Sequence, residues 1–157
     1  MQRFFARSAC AVAVALTTLP MAAWAVHGGD DFKWGDAPPV LNKGAKLAVL
    51  QGDPGKPGPY VMRLSMPGGY RIAPHSHTQT ESVTVISGAL MVGMGDKFDA
   101  KAMKTFKPGG FGSIPGKATH FAMTKGPTEI QIHGEGPFDL VYVNPDDDPQ
   151  KKVAAKK

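Results

Sequence analysis

Glycine and proline recur along the whole chain, and their density limits the length of any regular element. The 157 residues include 19 Gly and 14 Pro, about a fifth of the chain against a usual share of about 12%. Because glycine and proline interrupt helices and mark turns, this pattern excludes a helical bundle and a doubly wound α/β sheet. With 42% hydrophobic residues, the chain can still build a core. The composition therefore predicts one small, turn-rich, all-β domain.

Short apolar segments lie between the turn residues and predict about nine strands. Each segment is rich in β-branched and aromatic side chains and ends at a cluster of Gly, Pro, Asp or Ser, the usual boundary of a strand. The predicted strands are 46–50, 60–66, 70–72, 82–86, 89–94, 111–114, 119–123, 128–133 and 138–143. One helical turn is predicted at 99–103. Many short strands favour a closed or sandwiched β barrel, because closure removes exposed sheet edges.

The first 25 residues have the pattern of a secretory signal peptide. Arg3 and Arg7 form a basic start, residues 9–16 are apolar, and the run Ala-Trp-Ala that ends at Ala25 is a small-residue cleavage site. A membrane anchor is the alternative, but the apolar run is shorter than the roughly 20 residues that a spanning helix needs. We therefore predict cleavage after Ala25, export to the periplasm or the medium, and no stable membrane insertion.

The rest of the chain has little net charge and no thiol. The formal net charge is +5, but two arginines leave with the signal peptide and four lysines lie in the last seven residues, so the body is nearly neutral. This balance does not favour nucleic-acid binding. The single cysteine, Cys10, lies in the signal peptide, so the mature chain has no disulfide and no cysteine nucleophile. We divide the chain into the signal peptide 1–25, an irregular arm 26–44, a β barrel 45–145 and a charged tail 146–157.

Three histidines and one glutamate have the spacing of a metal site. His75 and His77 are two residues apart, so on a strand they point to the same face, and Glu81 can return to that face four residues later. His120 lies in a second strand–turn segment that can bring it opposite. Neutral imidazoles with one carboxylate suit one divalent transition metal, such as Fe, Mn, Ni, Zn or Cu. The alternative is that the paired histidines are ordinary polar residues of a strand.

The spacing around these residues resembles the first motif of the cupin superfamily. In order, the chain has Gly69, five residues, His75-Ser-His77, three residues, Glu81, six residues and Gly88. This order matches the motif position for position. The match favours a metal site over a chance pair of histidines.

The second cupin motif is similar but incomplete. Gly109, Pro115 and His120 occupy their usual positions, whereas Lys117 stands where a glycine is usual and Thr124 where an asparagine is usual. These departures affect the turn and the far end of the strand. They leave the expected metal ligand in place.

The resemblance covers residues 60–144 and implies a cupin-type jelly-roll barrel with a metal inside. It implies that the metal ligands are His75, His77, Glu81 and His120. The chain also resembles small exported bacterial cupins, and pairing of two copies through barrel edges, common in the superfamily, implies that a homodimer can form. Cupins with this pattern include dioxygenases, decarboxylases, isomerases, sugar-binding proteins and sensors, so fold and ligands do not select the reaction.

Five further residues are candidates for contact with a small-molecule substrate. Arg71 can pair with a carboxylate, Gln79 can orient a metal ligand or a bound water, and His133 can move a proton. Tyr70 and Phe121 can line the mouth of the barrel. The alternatives are a solvated arginine, ordinary core or rim aromatics, and a structural histidine.

These observations favour two functions. The first is an exported, metal-dependent enzyme, oxygenase-, decarboxylase- or isomerase-like, that acts on a small oxygenated organic molecule. The second is a non-catalytic protein that binds or senses a metal or a small ligand, and the scarcity of ionisable residues around the expected ligands keeps it open. An interaction module formed by the N-terminal arm is a third function, which can accompany either of the others.

Overall fold

The computed structural model describes residues 28–154 as an assembly of short strands. The expected signal peptide at 1–25 and the last residues of the tail, 155–157, lie outside the described residues. The strands are β1 (Gly35–Asp36), β2 (Lys46–Gln51), β3 (Gly58–Met66), β4 (Arg71–Ser76), β5 (Glu81–Ser87), β6 (Leu90–Met94), β7 (Lys104–Phe106), β8 (Phe111–Ile114), β9 (His120–Thr124), β10 (Thr128–Gly136) and β11 (Val141–Tyr142). Short 3₁₀ helices span Gly29–Asp31 and Pro145–Asp147, and helix α1 spans Pro149–Ala154.

Two antiparallel sheets face each other. One has the strand order β1-β2-β3-β10-β5-β8, and the other has the order β11-β4-β9-β6-β7. Strand β10 lies between β3 and β5, and β9 lies between β4 and β6. From β3 to β6, and again from β7 to β11, successive strands alternate between the sheets. This topology is a jelly roll. The prediction of an all-β, jelly-roll domain is confirmed.

The nine predicted strands are all present, with their ends shifted by a few residues, and the described part of the chain has two more. Strand β1 lies in the arm that the sequence predicts as irregular, where it pairs with β2 and Lys46 forms an ion pair with Asp36 at 2.7 Å. Strand β7 pairs with β6. Neither short strand has the apolar alternation that identifies a strand from sequence. The predicted helical turn at 99–103 is a single turn, closed by Ala102 N–H and the Asp99 carbonyl at 3.2 Å.

The charged tail contains regular structure that its composition does not predict. The side chain of Asn144 accepts a hydrogen bond from Asp146 N–H at the start of the second 3₁₀ helix, and Asp148 accepts one from Gln150 N–H at the start of α1. An aspartate followed by Pro149 is a favourable N-terminus, because the side chain caps the first turn and proline fits its first position. No helix within residues 28–154 is long and apolar enough to cross a membrane.

The hydrophobic core lies between the two sheets. Many of its members come from alternate positions of the central strands, among them Met62, Leu64, Val85, Ile130 and Ile132. The arm closes one part of this core, because Leu41 is only 6% exposed and packs among these residues. Hydrogen bonds from the hydroxyl of Tyr142 to the Val40 carbonyl (2.8 Å) and from the hydroxyl of Tyr70 to the Asn42 carbonyl (2.6 Å) hold the arm in place.

Candidate metal centre

The four residues that the sequence predicts as ligands come together where the two sheets meet. His75 on β4 lies directly opposite His120, the first residue of β9, in the antiparallel register of these strands. His77 immediately follows β4, and Glu81 is the first residue of β5 in the other sheet. The short turn between β4 and β5 therefore carries the chain from one sheet to the other and places Glu81 across from the three histidines.

The three imidazoles form one buried cluster. A nitrogen of each ring lies within 4.8 Å of the corresponding nitrogens of the other two. The ring centroids are 4.2 Å apart for His75 and His120, 5.0 Å for His75 and His77, and 5.2 Å for His77 and His120. All three side chains are 6% exposed or less. Such a cluster can hold a metal ion.

Backbone hydrogen bonds fix the orientation of each ring. Nδ1 lies within hydrogen-bonding distance of a carbonyl oxygen at 2.7 Å for His75, 2.5 Å for His77 and 3.1 Å for His120. The acceptors are the carbonyls of Ala73, Asp139 and Ala118, in that order. Because a carbonyl only accepts, Nδ1 must carry the proton, and Nε2 of each neutral ring keeps a free lone pair. Buried Nε2 of His77 has no hydrogen-bond partner among the described residues, as expected for an atom that binds a metal.

Glu81 supplies a carboxylate oxygen at the same point. Its Oε2 lies 3.4 Å from Nε2 of His77 and 3.6 Å from Nε2 of His120. Glu81 is only 8% exposed, and a buried carboxylate is costly unless a cation or hydrogen-bond donor compensates it. A divalent cation among these donors would satisfy the carboxylate and the free Nε2 atoms together, so this set of residues fits a metal of the kind that the sequence predicts.

The surroundings of the cluster favour the neutral form of His75 and the ionised form of Glu81. Burial, aided by the neighbouring His120 and His77, lowers the pKa of His75 to about 3. Burial alone would raise the pKa of Glu81, but the neighbouring imidazoles of His120 and His77 lower it overall. Burial also opposes protonation of His77, yet the carboxylate of Glu81 and the contacts with Asp139 raise its pKa. A neutral His75 beside an ionised Glu81 is the protonation state that a metal requires.

A cavity of about 440 Å³ begins at these ligands and extends between the sheets. Most of its wall consists of aliphatic side chains from the hydrophobic core. Four of the lining residues, Met94, Ala102, Lys104 and Ser113, are exposed and mark its mouth around β6, β7 and β8. The ligand cluster is therefore part of the wall of a chamber large enough for a small molecule.

A family model described as "Domain of unknown function (DUF4437)" matches residues 23–141. The chain belongs to this family. The matched residues include all four expected ligands and most of both sheets. No curated protein matches the chain.

Solved structures share the fold of this DUF4437 protein. The polyketide cyclase RemF from Streptomyces resistomycificus is 17% identical, over 85% of this chain and 94% of its own, with a TM-score of 0.68. An RmlC-like cupin from Shewanella frigidimarina is 16% identical over 69% and 87%, with a TM-score of 0.55. KdgF from Halomonas sp. is 16% identical over 73% and 96%, with a TM-score of 0.54. The expected cupin fold is confirmed, and at this level of identity the likeness concerns the fold alone.

Three of the residues predicted to contact substrate lie outside the cavity wall of the DUF4437 domain. The guanidinium of Arg71 lies over the ring of Phe98, 3.8 Å from its centroid. The hydroxyl of Tyr70 donates to the carbonyl of Asn42. Phe121 is fully buried and also packs on Phe98, with ring centroids 4.9 Å apart. Each side chain thus has a structural contact of its own.

The other two predicted substrate residues also lie away from the main cavity. His133 stacks on Phe111, with ring centroids 6.2 Å apart, and its strand neighbours Ile130 and Ile132 line the cavity on the other face. Exposed Gln79 borders a small recess beside Glu81. The structure therefore brings the four expected metal ligands together but does not bring the five substrate candidates into the chamber with them.

Asp139 contacts the candidate site and was not among the residues predicted from the sequence. Its backbone carbonyl accepts the hydrogen bond from His77, and its carboxylate accepts hydrogen bonds from the N–H (2.8 Å) and the hydroxyl (2.5 Å) of Thr78. Its neighbour Phe138 packs on the His77 ring at 5.2 Å. No spacing rule connects these positions, since Asp139 comes 61 positions after Thr78 in the chain. Only the fold reveals their contact.

The departure from the second cupin motif has a clear structural consequence. Lys117, which stands where a glycine is usual, has a φ of 66°, in the left-handed region that favours glycine. Its N–H donates to the carbonyl of His77 at 2.7 Å. At Gly116, a Cβ would lie 2.5 Å from the Thr78 carbonyl. The turn before β9 thus keeps the close approach to the His77 segment although its left-handed residue is a lysine.

Proposed function

We propose that this protein binds one divalent transition metal through His75, His77, Glu81 and His120 and uses it to act on a small oxygenated organic molecule. The observation that carries the proposal is the continuity between the ligand cluster and the cavity of about 440 Å³. A metal that only stabilised the barrel would need no chamber beside it. Protein interiors normally pack with few voids larger than a water molecule.

The bound metal would supply a Lewis acid that polarises an oxygen of the substrate. The chain's own residues prepare its site. The Nδ1–carbonyl bonds hold three lone pairs toward one point, and Glu81 lowers the net charge there. Phe138 covers the His77 ring, which excludes water from one side of the cluster. Such preorganisation reduces the cost of binding the metal and the substrate.

Coordination number decides whether a substrate can reach the metal. Four protein ligands fill a tetrahedral Zn²⁺ site, which is then structural. Around an octahedral ion such as Fe²⁺, Mn²⁺ or Ni²⁺, the same four ligands leave two positions open. Because all four proposed ligands border the chamber, an ion that they held with open positions would be accessible to an oxygen donor of a substrate in the chamber.

A non-catalytic binding or sensing protein is the second candidate. Among the described residues, the only ionisable side chain that lines the cavity besides the four proposed ligands is Lys104, at the exposed mouth. General acid–base catalysis requires a titratable group within hydrogen-bonding reach of the reacting atom. If the protein is an enzyme, its chemistry is therefore limited to steps that the metal and its ligands support.

Cobalt substitution tests the proposed function. The metal-free protein is loaded with one equivalent of Co²⁺, and its visible absorption is recorded before and after addition of oxalate, a small chelating dianion. Weak bands typical of five- or six-coordinate Co²⁺, which change when oxalate binds, support an open site. Intense tetrahedral bands that oxalate leaves unchanged contradict the proposal and support a closed structural metal.

We also propose that the protein is exported and loses residues 1–25. The supporting observation is the basic, apolar and small-residue order of the N-terminus. Expression of the full chain in a bacterium, followed by intact-mass measurement of the periplasmic fraction, should give a chain that begins at Val26. In a variant with Ala25→Leu, cleavage should be blocked. Full-length protein that remains in the cytoplasm would contradict export.

A further inference from the structure

The chamber beside the proposed ligands is apolar except at the ligands themselves and at its mouth. Besides those ligands, Lys104 and Ser113 are the only polar side chains among the described residues that line it, and both are exposed at the mouth. The inner wall is mainly aliphatic, with Met62, Leu64, Val83, Val85, Ile130 and Ile132 among its members, and two aromatic side chains, Phe106 and Phe138, also line it. The part of a ligand that lies beyond the metal thus meets almost no hydrogen-bonding side chain.

The strand register orders this wall along the barrel. On β6, Met94 lies opposite His120, whereas Leu90 lies opposite Thr124 at the other end of the strand. Val92 lies between them and faces Ala122 on one side and Lys104 on the other. Because side chains two residues apart share one face, a molecule that is held at the ligand cluster extends past Val92 toward Leu90.

This wall discriminates between two kinds of oxygenated molecule. A sugar or sugar acid carries hydroxyl groups along its whole length, and each buried hydroxyl without a partner costs binding free energy. An aromatic or alkyl body gains free energy from burial on the same surface. A chamber of about 440 Å³ lies within the range of typical small-molecule sites.

We propose that the site selects a molecule with an aromatic or alkyl body whose oxygen donors are confined to one end. The donors would meet the metal, and the body would lie on the aliphatic wall that runs past Val92. This inference rests on the proposed metal site, because the ligand cluster fixes which end enters first. It goes beyond that proposal because it excludes polyhydroxylated substrates.

Two probe molecules of similar size test the selection. 3-Hydroxy-2-naphthoate and gluconate each carry a carboxylate beside a hydroxyl, and they differ in the polarity of the rest of the molecule. Calorimetric titration into the Co²⁺-loaded protein should show the naphthoate binding at least about tenfold more tightly, since its rings are buried against apolar wall. Equal affinity, or tighter binding of gluconate, would overturn the inference.

A cavity-filling variant tests where the body of the molecule lies. Val92→Phe fills the middle of the chamber and should weaken naphthoate binding at least about tenfold while the metal content stays that of the wild type. Val49→Phe is the matched control, because Val49 is 46% exposed and lies outside the cavity wall. Where Val92→Phe fails to fold, Val92→Leu adds a smaller group and should weaken binding in the same direction. Unchanged binding in a folded variant would overturn the inference.

The metal-free protein separates this inference from the proposed function. If naphthoate binds equally well with and without Co²⁺ and Val92→Phe abolishes that binding, the apolar chamber is supported and the role of the metal in substrate binding fails. If Co²⁺ binds with open positions and gluconate is preferred, the metal site stands and the apolar selection fails. If naphthoate displaces gluconate from the Co²⁺-loaded wild type, and from neither the metal-free protein nor the Val92→Phe variant, the metal site and the apolar selection are both supported.

Discussion

His77 and Asp139, which are 62 residues apart in the chain, are joined through Nδ1 of the histidine and the backbone carbonyl of the aspartate. The carboxylate of the same aspartate accepts two hydrogen bonds from Thr78. One residue thus fixes both the His77 ring and the turn that follows it. This turn leads directly to Glu81, so Asp139 sets the relative position of two proposed ligands.

Replacement of Asp139 by alanine should weaken metal binding by about ten- to a hundredfold, the usual effect of removing an outer hydrogen-bond partner of a metal site. The backbone carbonyl remains, but the turn at Thr78 loses both of its carboxylate hydrogen bonds. Metal titration of the metal-free protein measures the change. Asp96→Ala removes an exposed aspartate and should leave the affinity unchanged. Equal affinities in the two variants would contradict a positioning role for Asp139.

Lys117→Gly should stabilise the fold by about 0.5–1 kcal/mol. A left-handed backbone conformation costs a residue with a Cβ roughly 1–2 kcal/mol, which Lys117→Gly would remove. The greater conformational freedom of glycine in the unfolded chain offsets part of this stabilisation. Urea unfolding measures the difference. Lys97→Gly is the control, because among the described non-glycine residues only Lys117 has a positive φ, so Lys97→Gly should not stabilise. A loss of stability in Lys117→Gly would contradict the strain argument.

The stability of the metal-free protein should fall as the pH rises from about 10 toward 12. Burial, with a smaller effect of the negative charges on Glu81 and Asp139, raises the pKa of Tyr60 to about 12. Its contribution to stability is complete below the unfolded-state pKa of about 10 and is lost as the pH rises through the folded-state value. Tyr60→Phe cannot ionise, so its melting temperature should fall less between pH 9.5 and 11.5. An identical fall in both proteins would contradict this account.

Local spacing accounts for what the sequence predicts well. The alternation of side chains on a strand places His75 and His77 on one face, and the turn residues at Gly69 and Gly88 mark the ends of the segment. Nine strands follow from the same two signals. These signals predict the all-β class, whereas the jelly-roll topology and the full ligand set, with His120, were implied by the resemblance to the cupin motifs.

Tertiary contacts account for what the sequence does not predict. The position of Asp139 against His77, and the pairing of β7 with β6, depend on contacts between distant parts of the chain. Aromatic and charged residues near the ligand motifs were expected to face a substrate, but Arg71 and Phe121 both pack on Phe98, outside the chamber. The size and polarity of the chamber depend on how side chains of two sheets face each other. The pattern of residues along one strand does not give this arrangement.

The central claim is that His75, His77, Glu81 and His120 bind one metal ion, and metal content tests it most directly. The mature protein, His120→Ala and His133→Ala are purified without added metal or chelator and analysed by inductively coupled plasma mass spectrometry. His133 is the matched control, because it stacks on Phe111 outside the chamber. The account predicts about one transition-metal ion per chain in the wild type and in His133→Ala, and almost none in His120→Ala. Absence of metal from the wild type, or full occupancy in His120→Ala, would contradict it.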